Sequence, residues 1–235
     1  MLIRSWHERK ARAEQKNERL LEFLCSEIWT MYPTIGWLIG DGSQPAARQS
    51  VHTLVSRLED EGLLRTWRPT RISDTDKGGR QVYVGITRKG RIKVGADPEK
   101  RVFDPSKLGD ASRRDHKMYA QKIRILLTFR GWYDWDIQQR DEDGVPYAVQ
   151  ADYVCTRNGE VVAIEAERTL KSASRYKSVW EAHIDAARNG RWNRVIYYLP
   201  SSKEKASFEA IRQRSSVGRR SLFKVRTVDE LLSEV

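Results

Sequence analysis

The stretch ADYVCTRNGEVVAIEAERTLKSASRYKSVW, residues 151–180, decides how the C-terminal half of the chain can fold. Two apolar runs flank an Asn-Gly pair, which is typical of a two-residue hairpin turn, and a helical pattern follows them. Asp152 lies near the start of the first run, and Glu165 and Glu167 lie at the end of the second. A hairpin brings these ends together, and side-chain alternation puts residues 165 and 167 on one face. The sequence therefore predicts that three carboxylates converge.

Converging carboxylates have an energetic cost that also indicates their chemistry. Like charges placed side by side repel unless a cation lies between them or some of them are protonated. Oxygen-rich clusters usually hold Mg²⁺ or Mn²⁺, the ions of phosphodiester cleavage. We therefore expect Asp152, Glu165 and Glu167 to be metal ligands and catalytic residues.

Outward from this stretch, residues 111–235 predict the order helix, three strands, helix, strand, helix, strand and helix. Strands separated by helices imply crossover connections and a mixed sheet flanked by helices. The expected fold class of this domain is therefore α+β or α/β.

The placement of the acids resembles that of the PD-(D/E)XK restriction-endonuclease-like domain, in which acid-x-Lys ends the strand beside a first acid. Asp152 and Glu165 match the two acids, whereas Glu167 stands at the Lys position. In that family the Lys orients the attacking water or stabilises negative charge. The resemblance thus implies a substitute Lys, with Lys177 as the first candidate and Lys171 as the second.

Residues 1–95 predict a separate DNA-binding domain. An apolar stripe in NERLLEFLCSEIWTMY predicts a core-facing helix ended by Pro33, followed by a short helix, a turn and a second amphipathic helix. Two strands, LLRTWRP and QVYVGITRKGRIKV, then flank a basic loop. This order resembles the winged helix-turn-helix of bacterial regulators, whose second helix enters the major groove while the wing contacts phosphates.

The resemblance implies a set of polar and basic DNA-contacting residues on the second helix and on the wing. They are Gln44, Arg48, Gln49, His52 and Arg57 at the helix, and Arg71, Lys77 and Arg80 in the wing. There are two alternatives. The same fold also serves as a protein-protein module, and a charged helix face is commonly only solvated. The intervening residues 96–110, with Pro98, Pro105 and Gly109, predict a linker.

Composition agrees with a polyanionic partner. The net charge is +11 with 32% charged residues, which favours double-stranded DNA over an ordinary basic surface. The two cysteines, Cys25 and Cys155, lie far apart and exclude a cysteine-rich zinc site. Apolar runs are too short for a membrane span, and the N-terminus is too charged for a secretory signal. We expect a cytoplasmic protein without a membrane partner; the oligomeric state stays open.

The two-domain architecture resembles that of the replication-relaxation family of plasmid and mobile-element proteins, and more loosely that of the MobC-type relaxases. A winged helix is followed by H...GW...AD...E-x-E-R...Y..K, which here includes His116, Glu165, Glu167 and Arg168. The resemblance covers about residues 20–200. It implies a relaxase that nicks DNA at a transfer or replication origin, with other mobilisation or replication proteins as candidate partners.

Three residues have an alternative structural interpretation. His116 is either a site residue or a surface or capping residue near the start of a helix, and His183 fits a helix-face position. Tyr176 is either a core residue or a catalytic nucleophile. Relaxases of the HUH type use three clustered histidines, and the four scattered histidines here argue against that type.

Two functions therefore remain open. The first is a metal-dependent DNA nicking enzyme that uses the three acids. The second is a non-catalytic DNA-binding accessory protein or transcriptional regulator with a degenerate nuclease-like domain. Glu167 at the Lys position favours the second function, and the presence of all three acids favours the first.

Overall fold

The computed structural model describes residues 5–69, 81–137, 149–215, 218 and 220–234. It divides into two compact units, Met1–Met118 and Tyr119–Val235. Each unit combines helices with a sheet, so the chain belongs to the mixed α and β class that the sequence predicts.

The described residues of the first unit form four complete helices, the start of a fifth, a short 3₁₀ turn at Pro105–Lys107 and three strands. In chain order the elements are α1 (Trp6–Glu27), β1 (Trp29–Met31), α2 (Tyr32–Ile39), α3 (Arg48–Asp60), β2 (Leu64–Trp67), β3 (Tyr83–Ile86) and α4 (Arg88–Lys93). The three strands form an antiparallel sheet in the order β1-β3-β2.

Helix α1 confirms the predicted apolar stripe but ends earlier than expected. A capping box between Ser5 and Glu8 starts it, and its buried side chains include Leu20, Leu21 and Leu24. The expected continuation is wrong: Ile28 has a φ of 71°, and β1 follows and pairs with β3. Pro33 accordingly lies in the first turn of α2, where its missing N–H costs nothing.

The second predicted wing strand also ends early. Strand β3 stops at Ile86, and the RKGRIK segment that was expected to extend it forms α4. The Thr87 side chain accepts a hydrogen bond from the Gly90 N–H at 3.0 Å, which caps the helix. A local cap therefore outweighs the alternating pattern from which the strand was predicted.

Residues 96–110 do not form a linker between the two units. Phe103 and Leu108 are buried in a cluster with Trp29 and Tyr83, and the Phe103 N–H donates to the Ile86 carbonyl at 3.0 Å. A Cβ on Gly85 would lie 2.1 Å from Cγ of Phe103, so the aromatic ring occupies the space that this glycine leaves. The segment packs onto the first sheet because one aromatic side chain anchors it.

The second unit has the predicted order of elements. They are the C-terminal part of α5 (Ala111–Thr128), β4 (Tyr133–Asp136), β5 (Tyr153–Arg157), β6 (Glu160–Ala166), α6 (Ala173–Arg188), β7 (Arg194–Leu199), α7 (Ser202–Arg214), β8 (Phe223–Thr227) and α8 (Val228–Ser233). The strands form one mixed sheet in the order β4-β5-β6-β7-β8. Strands β4 to β6 pair antiparallel, and β6 to β8 pair parallel.

The two faces of this sheet carry different helices. Ala163 and Tyr197 pack in the main core with Tyr176 and Trp180 of α6, whose rings stack 5.2 Å apart. We call this the α6 face. On the opposite face, the Arg124 guanidinium of α5 lies 5.8 Å from the Tyr153 ring centroid. No helix in the described part of the chain is long and apolar enough to cross a membrane.

The packing of Phe103 yields a stability prediction. Phe103→Ala should lower the free energy of unfolding of the first unit by about 3 to 5 kcal/mol, since it empties the space over Gly85. Ile92→Ala is the control, because the Ile92 side chain is 60% exposed and should cost little. Urea denaturation followed by circular dichroism measures both. Equal small losses would mean that residues 96–110 act as a linker after all.

Candidate functional site

The register between β5 and β6 puts two of the predicted acids side by side. Tyr153 is opposite Ile164, so the next pair along the strands is Asp152 and Glu165. One carboxylate oxygen of Asp152 accepts a hydrogen bond from the Ala166 N–H at 2.7 Å. The expected proximity of these two acids at the strand end is therefore present in the structure. We call Asp152, Glu165 and Glu167 the carboxylate site.

Glu165 has a buried histidine as its partner. Its Oε1 lies 3.0 Å from Nε2 of His183, whose side chain is fully buried on α6. Burial raises the pKa of the Glu165 carboxyl, the hydrogen bond with His183 opposes that shift, and the Asp152 charge adds to it. Nδ1 of His183 has no hydrogen-bond partner among the described residues. The imidazole therefore interacts specifically through Nε2.

Glu167 is buried just beyond the end of β6 and forms an ion pair. Its Oε2 lies 2.5 Å from Nζ of Lys171, and its own N–H donates to the Tyr198 carbonyl at 3.0 Å. The Lys171 side chain is 29% exposed, so the charged amino group lies at the edge of the core. Glu167 thus holds a lysine from the loop that follows β6.

Tyr176 belongs to the core. Its hydroxyl accepts a hydrogen bond from the Lys171 N–H at 3.2 Å, and its ring contacts Trp180 and Phe208. Burial raises the pKa of its phenol, and the negative charge of Glu167 raises it further. A raised pKa disfavours the phenolate, so the environment favours the core interpretation of Tyr176 over the nucleophile.

The remaining predicted catalytic residues lie elsewhere. Lys177 is on the exposed side of α6, with its Nζ 3.9 Å from Glu181. His116 is half-buried on the part of α5 that belongs to the first unit. Of the two candidate lysines, Lys171 is the one that pairs with the carboxylate site.

The three acids do not form a joint metal cage. Among the described residues there is no group of three or more His, Cys, Asp or Glu side chains that could hold a metal ion. Asp152 accepts from a backbone N–H, Glu165 binds His183, and Glu167 binds Lys171. Because each acid has its own partner, the mutual repulsion expected from the sequence is relieved by internal contacts.

The predicted DNA-contacting residues on the first unit are mostly exposed. Arg48, Gln49 and His52 lie in the first two turns of α3 and face solvent, and Gln44 is exposed in the loop before it. Arg57 is also exposed, but its guanidinium donates to the Asn17 side chain at 2.5 Å. The wing residues Arg71, Lys77 and Arg80 lie outside the described residues.

Sequence reasoning missed the role of His183. It was interpreted as a helix-face residue, yet its spacing from Tyr176 and Trp180 puts it on the apolar stripe of α6. A polar residue on a buried stripe requires a partner, and Glu165 at the end of β6 supplies it. The stripe position of His183 could be recognised from the sequence, whereas its acceptor lies on another element and could not.

The chain matches no known family model, and no curated protein or solved structure is significantly similar to it.

The Glu165–His183 pair yields a second prediction. A double-mutant cycle of Glu165→Ala and His183→Ala should give a coupling free energy of about 1.5 to 3 kcal/mol, because each variant removes the buried hydrogen bond between the two side chains. The matched control is the exposed Lys177–Glu181 pair, which should give about 0.5 kcal/mol or less. Denaturant unfolding at neutral pH measures both cycles. Coupling no larger than the control would contradict the buried interaction.

Proposed function

We propose that this chain is a relaxase-like DNA-binding protein of a plasmid or mobile element that nicks DNA at a transfer or replication origin. The observation that carries the proposal is the pairing of Asp152 with Glu165 at a strand end, with the Lys171 cation close by. Two acids and a lysine at adjoining strand and loop positions have the chemistry of the PD-(D/E)XK site that the sequence resembles.

The first unit supports the DNA-binding part of the proposal. Helices α2 and α3 precede the strands β2 and β3, which is the order of a winged helix-turn-helix. The start of α3 presents Arg48, Gln49 and His52 to solvent. These are side chains that read base edges or bind phosphates. We assign α3 as the recognition helix.

Asp152 and Glu165 are suitable ligands for Mg²⁺ or Mn²⁺. Mg²⁺ sites are commonly built from one or two carboxylates together with waters and substrate phosphates, so a three-acid cage is not required. A bound ion would activate water and stabilise the leaving oxygen. Glu167, in contrast, serves to hold Lys171.

The chain's own residues have separable tasks in this proposal. His183 fixes the orientation of the Glu165 carboxylate through Nε2. Glu167 positions Lys171, whose partly exposed amino group can donate to a phosphate oxygen. In the proposed site Lys171 takes the place of the family lysine.

A non-catalytic accessory protein or transcriptional regulator is the second candidate. The observation that favours it is that each acid already has an internal partner within the protein. Such contacts stabilise the fold without a metal. In that case the nuclease-like unit is a scaffold, and the first unit carries the function.

The nicking proposal predicts metal-dependent relaxation of supercoiled plasmid carrying the DNA that surrounds the protein's own gene. Open circles should form with Mn²⁺ or Mg²⁺ and not with EDTA. Glu165→Gln should abolish nicking while duplex affinity stays near that of the wild type. Glu181→Gln is the control, since it removes the same charge from the exposed side of α6.

The two candidate lysines supply a matched comparison. Lys171→Met should slow nicking by about 10²-fold or more, as expected for the loss of a charge-stabilising group, while Lys177→Met should stay near wild type. A thermal melt checks that each variant folds. Mn²⁺ should also raise the melting temperature of the wild type but not of the Asp152→Asn, Glu165→Gln double variant.

The outcomes distinguish the two candidates. Duplex binding without nicking or a metal-induced thermal shift would support the non-catalytic binder. Equal loss of binding and nicking in Glu165→Gln would show that the acid serves folding or DNA docking.

Binding through α3 yields its own prediction. Duplex affinity should fall by about tenfold or more between about 50 and 200 mM salt, because phosphate contacts release counterions. Arg48→Ala should weaken binding and reduce the salt slope, whereas Arg88→Ala on α4 should change neither. Fluorescence anisotropy of a labelled duplex measures both. Equal effects of the two variants would indicate attraction by net charge alone.

A further inference from the structure

A basic cleft of about 300 Å³ opens on the sheet face opposite the α6 face. The register explains its composition: Ile196 is opposite Lys224, and Val162 is opposite Arg194, so both cations share a face with these apolar residues. Glu165 lies on the other face because side chains alternate. The lining includes four cations, Arg157, Arg194, Lys224 and Arg226, together with Glu160 and Trp132.

The cations of the basic cleft are only partly neutralised. Arg194 pairs with Glu160 at 3.5 Å, and Arg226 pairs with Glu234. Lys224 has no carboxylate within salt-bridge distance among the described residues. Four positive charges from three strands therefore face a single lining carboxylate.

The repulsion among these cations affects the pKa of Lys224. Partial burial lowers the pKa of its amino group, and the nearby charges of Arg226, Arg194 and Arg157 lower it further. Like charges gathered in a partly enclosed cleft are unfavourable in the free protein. An anion bound among them would relieve that repulsion, because a cleft of one charge sign focuses the electrostatic field.

Trp132 and Arg157 complete the cleft. The Arg157 guanidinium lies 5.1 Å from the Trp132 ring centroid, a cation–π contact that holds the guanidinium in place. Trp132 is only 3% exposed. Its indole N–H has no hydrogen-bond partner among the described residues. The Trp132 ring therefore serves as an aromatic wall of the basic cleft and a support for Arg157.

We propose that the basic cleft binds the phosphate group of a nucleotide, either free or within a single-stranded nucleic acid. Guanidinium groups match phosphate oxygens in paired hydrogen bonds, and Lys224 adds a point charge. The volume lies at the lower end of the range for small-ligand pockets, which suits one nucleotide. The proposal does not depend on nicking, because the carboxylate site lies on the other sheet face.

The test uses the full chain and three probes at constant ionic strength: inorganic phosphate, a deoxynucleoside monophosphate and a short single-stranded oligonucleotide. Isothermal titration calorimetry measures their affinity for the wild type, Lys224→Gln and Lys203→Gln. Lys203 is an exposed residue of α7 outside the cleft, so its variant removes the same charge elsewhere on the unit. Thermal melting without phosphate tests the repulsion independently.

Lys224→Gln should weaken binding by about tenfold or more, as for the loss of a charge-assisted hydrogen bond, and Lys203→Gln should not. Without phosphate, Lys224→Gln should melt no lower than the wild type. Equal affinity for the mononucleotide and the oligonucleotide would identify a free nucleotide as the ligand. Tighter binding of the oligonucleotide would identify a single-stranded nucleic acid. Equal weakening by both variants, or no binding of any probe, would overturn the proposal. A Glu165→Gln chain that retains binding separates this result from the nicking proposal.

Discussion

The register of the β5–β6 hairpin is the constraint on which the second unit depends. Asn158 and Gly159 have φ values of 49° and 79°, which suit a tight two-residue turn that matches the strand twist. The turn fixes Tyr153 opposite Ile164 and hence Asp152 beside Glu165. A slip of one residue would send the two acids to opposite faces and expose the apolar set. A local turn therefore determines the geometry of a site at the far end of the strands.

The buried polar contacts at the end of β6 depend on each other. Glu165 would be costly on the α6 face without the donor from His183, and His183 would be costly on α6 without an acceptor. Glu167 and Lys171 satisfy each other beside them. Removing one partner leaves the other buried and unpaired, so these contacts specify how α6 packs against the end of β6. A structural role and a chemical role are compatible here, because Lys171 stays partly exposed.

Much of the fold could be predicted because it follows from local patterns. The order of the second unit, the hairpin turn and the stripe of α1 each follow from apolar period and turn chemistry. What could not be predicted depends on distant partners. Phe103 lies in a segment with few apolar residues, and its burial depends on the space over Gly85 and on contacts with Trp29 and Tyr83, which are far away in the sequence. Strand β1 exists because β3 pairs with it.

The same distinction between local patterns and distant partners applies to the candidate site. Asp152 and Glu165 could be placed together from strand alternation, since their proximity needs only the hairpin. The sequence could not predict that Lys171, and not Lys177, contacts Glu167. That contact depends on how the loop before α6 folds back on Glu167. His183 lay between these cases: its stripe was readable, but its acceptor is on another element.

Side-chain alternation also lets one sheet carry two oppositely charged sites. The carboxylate site lies at the C-terminal end of β6 on the α6 face, and the basic cleft lies toward the start of β6 and β7 on the other face. The apolar layer of Ala163, Ile164 and Ile196 between them is buried, and the low polarity there preserves each local field. The alternation that builds the core thus also keeps the two charged sites distinct.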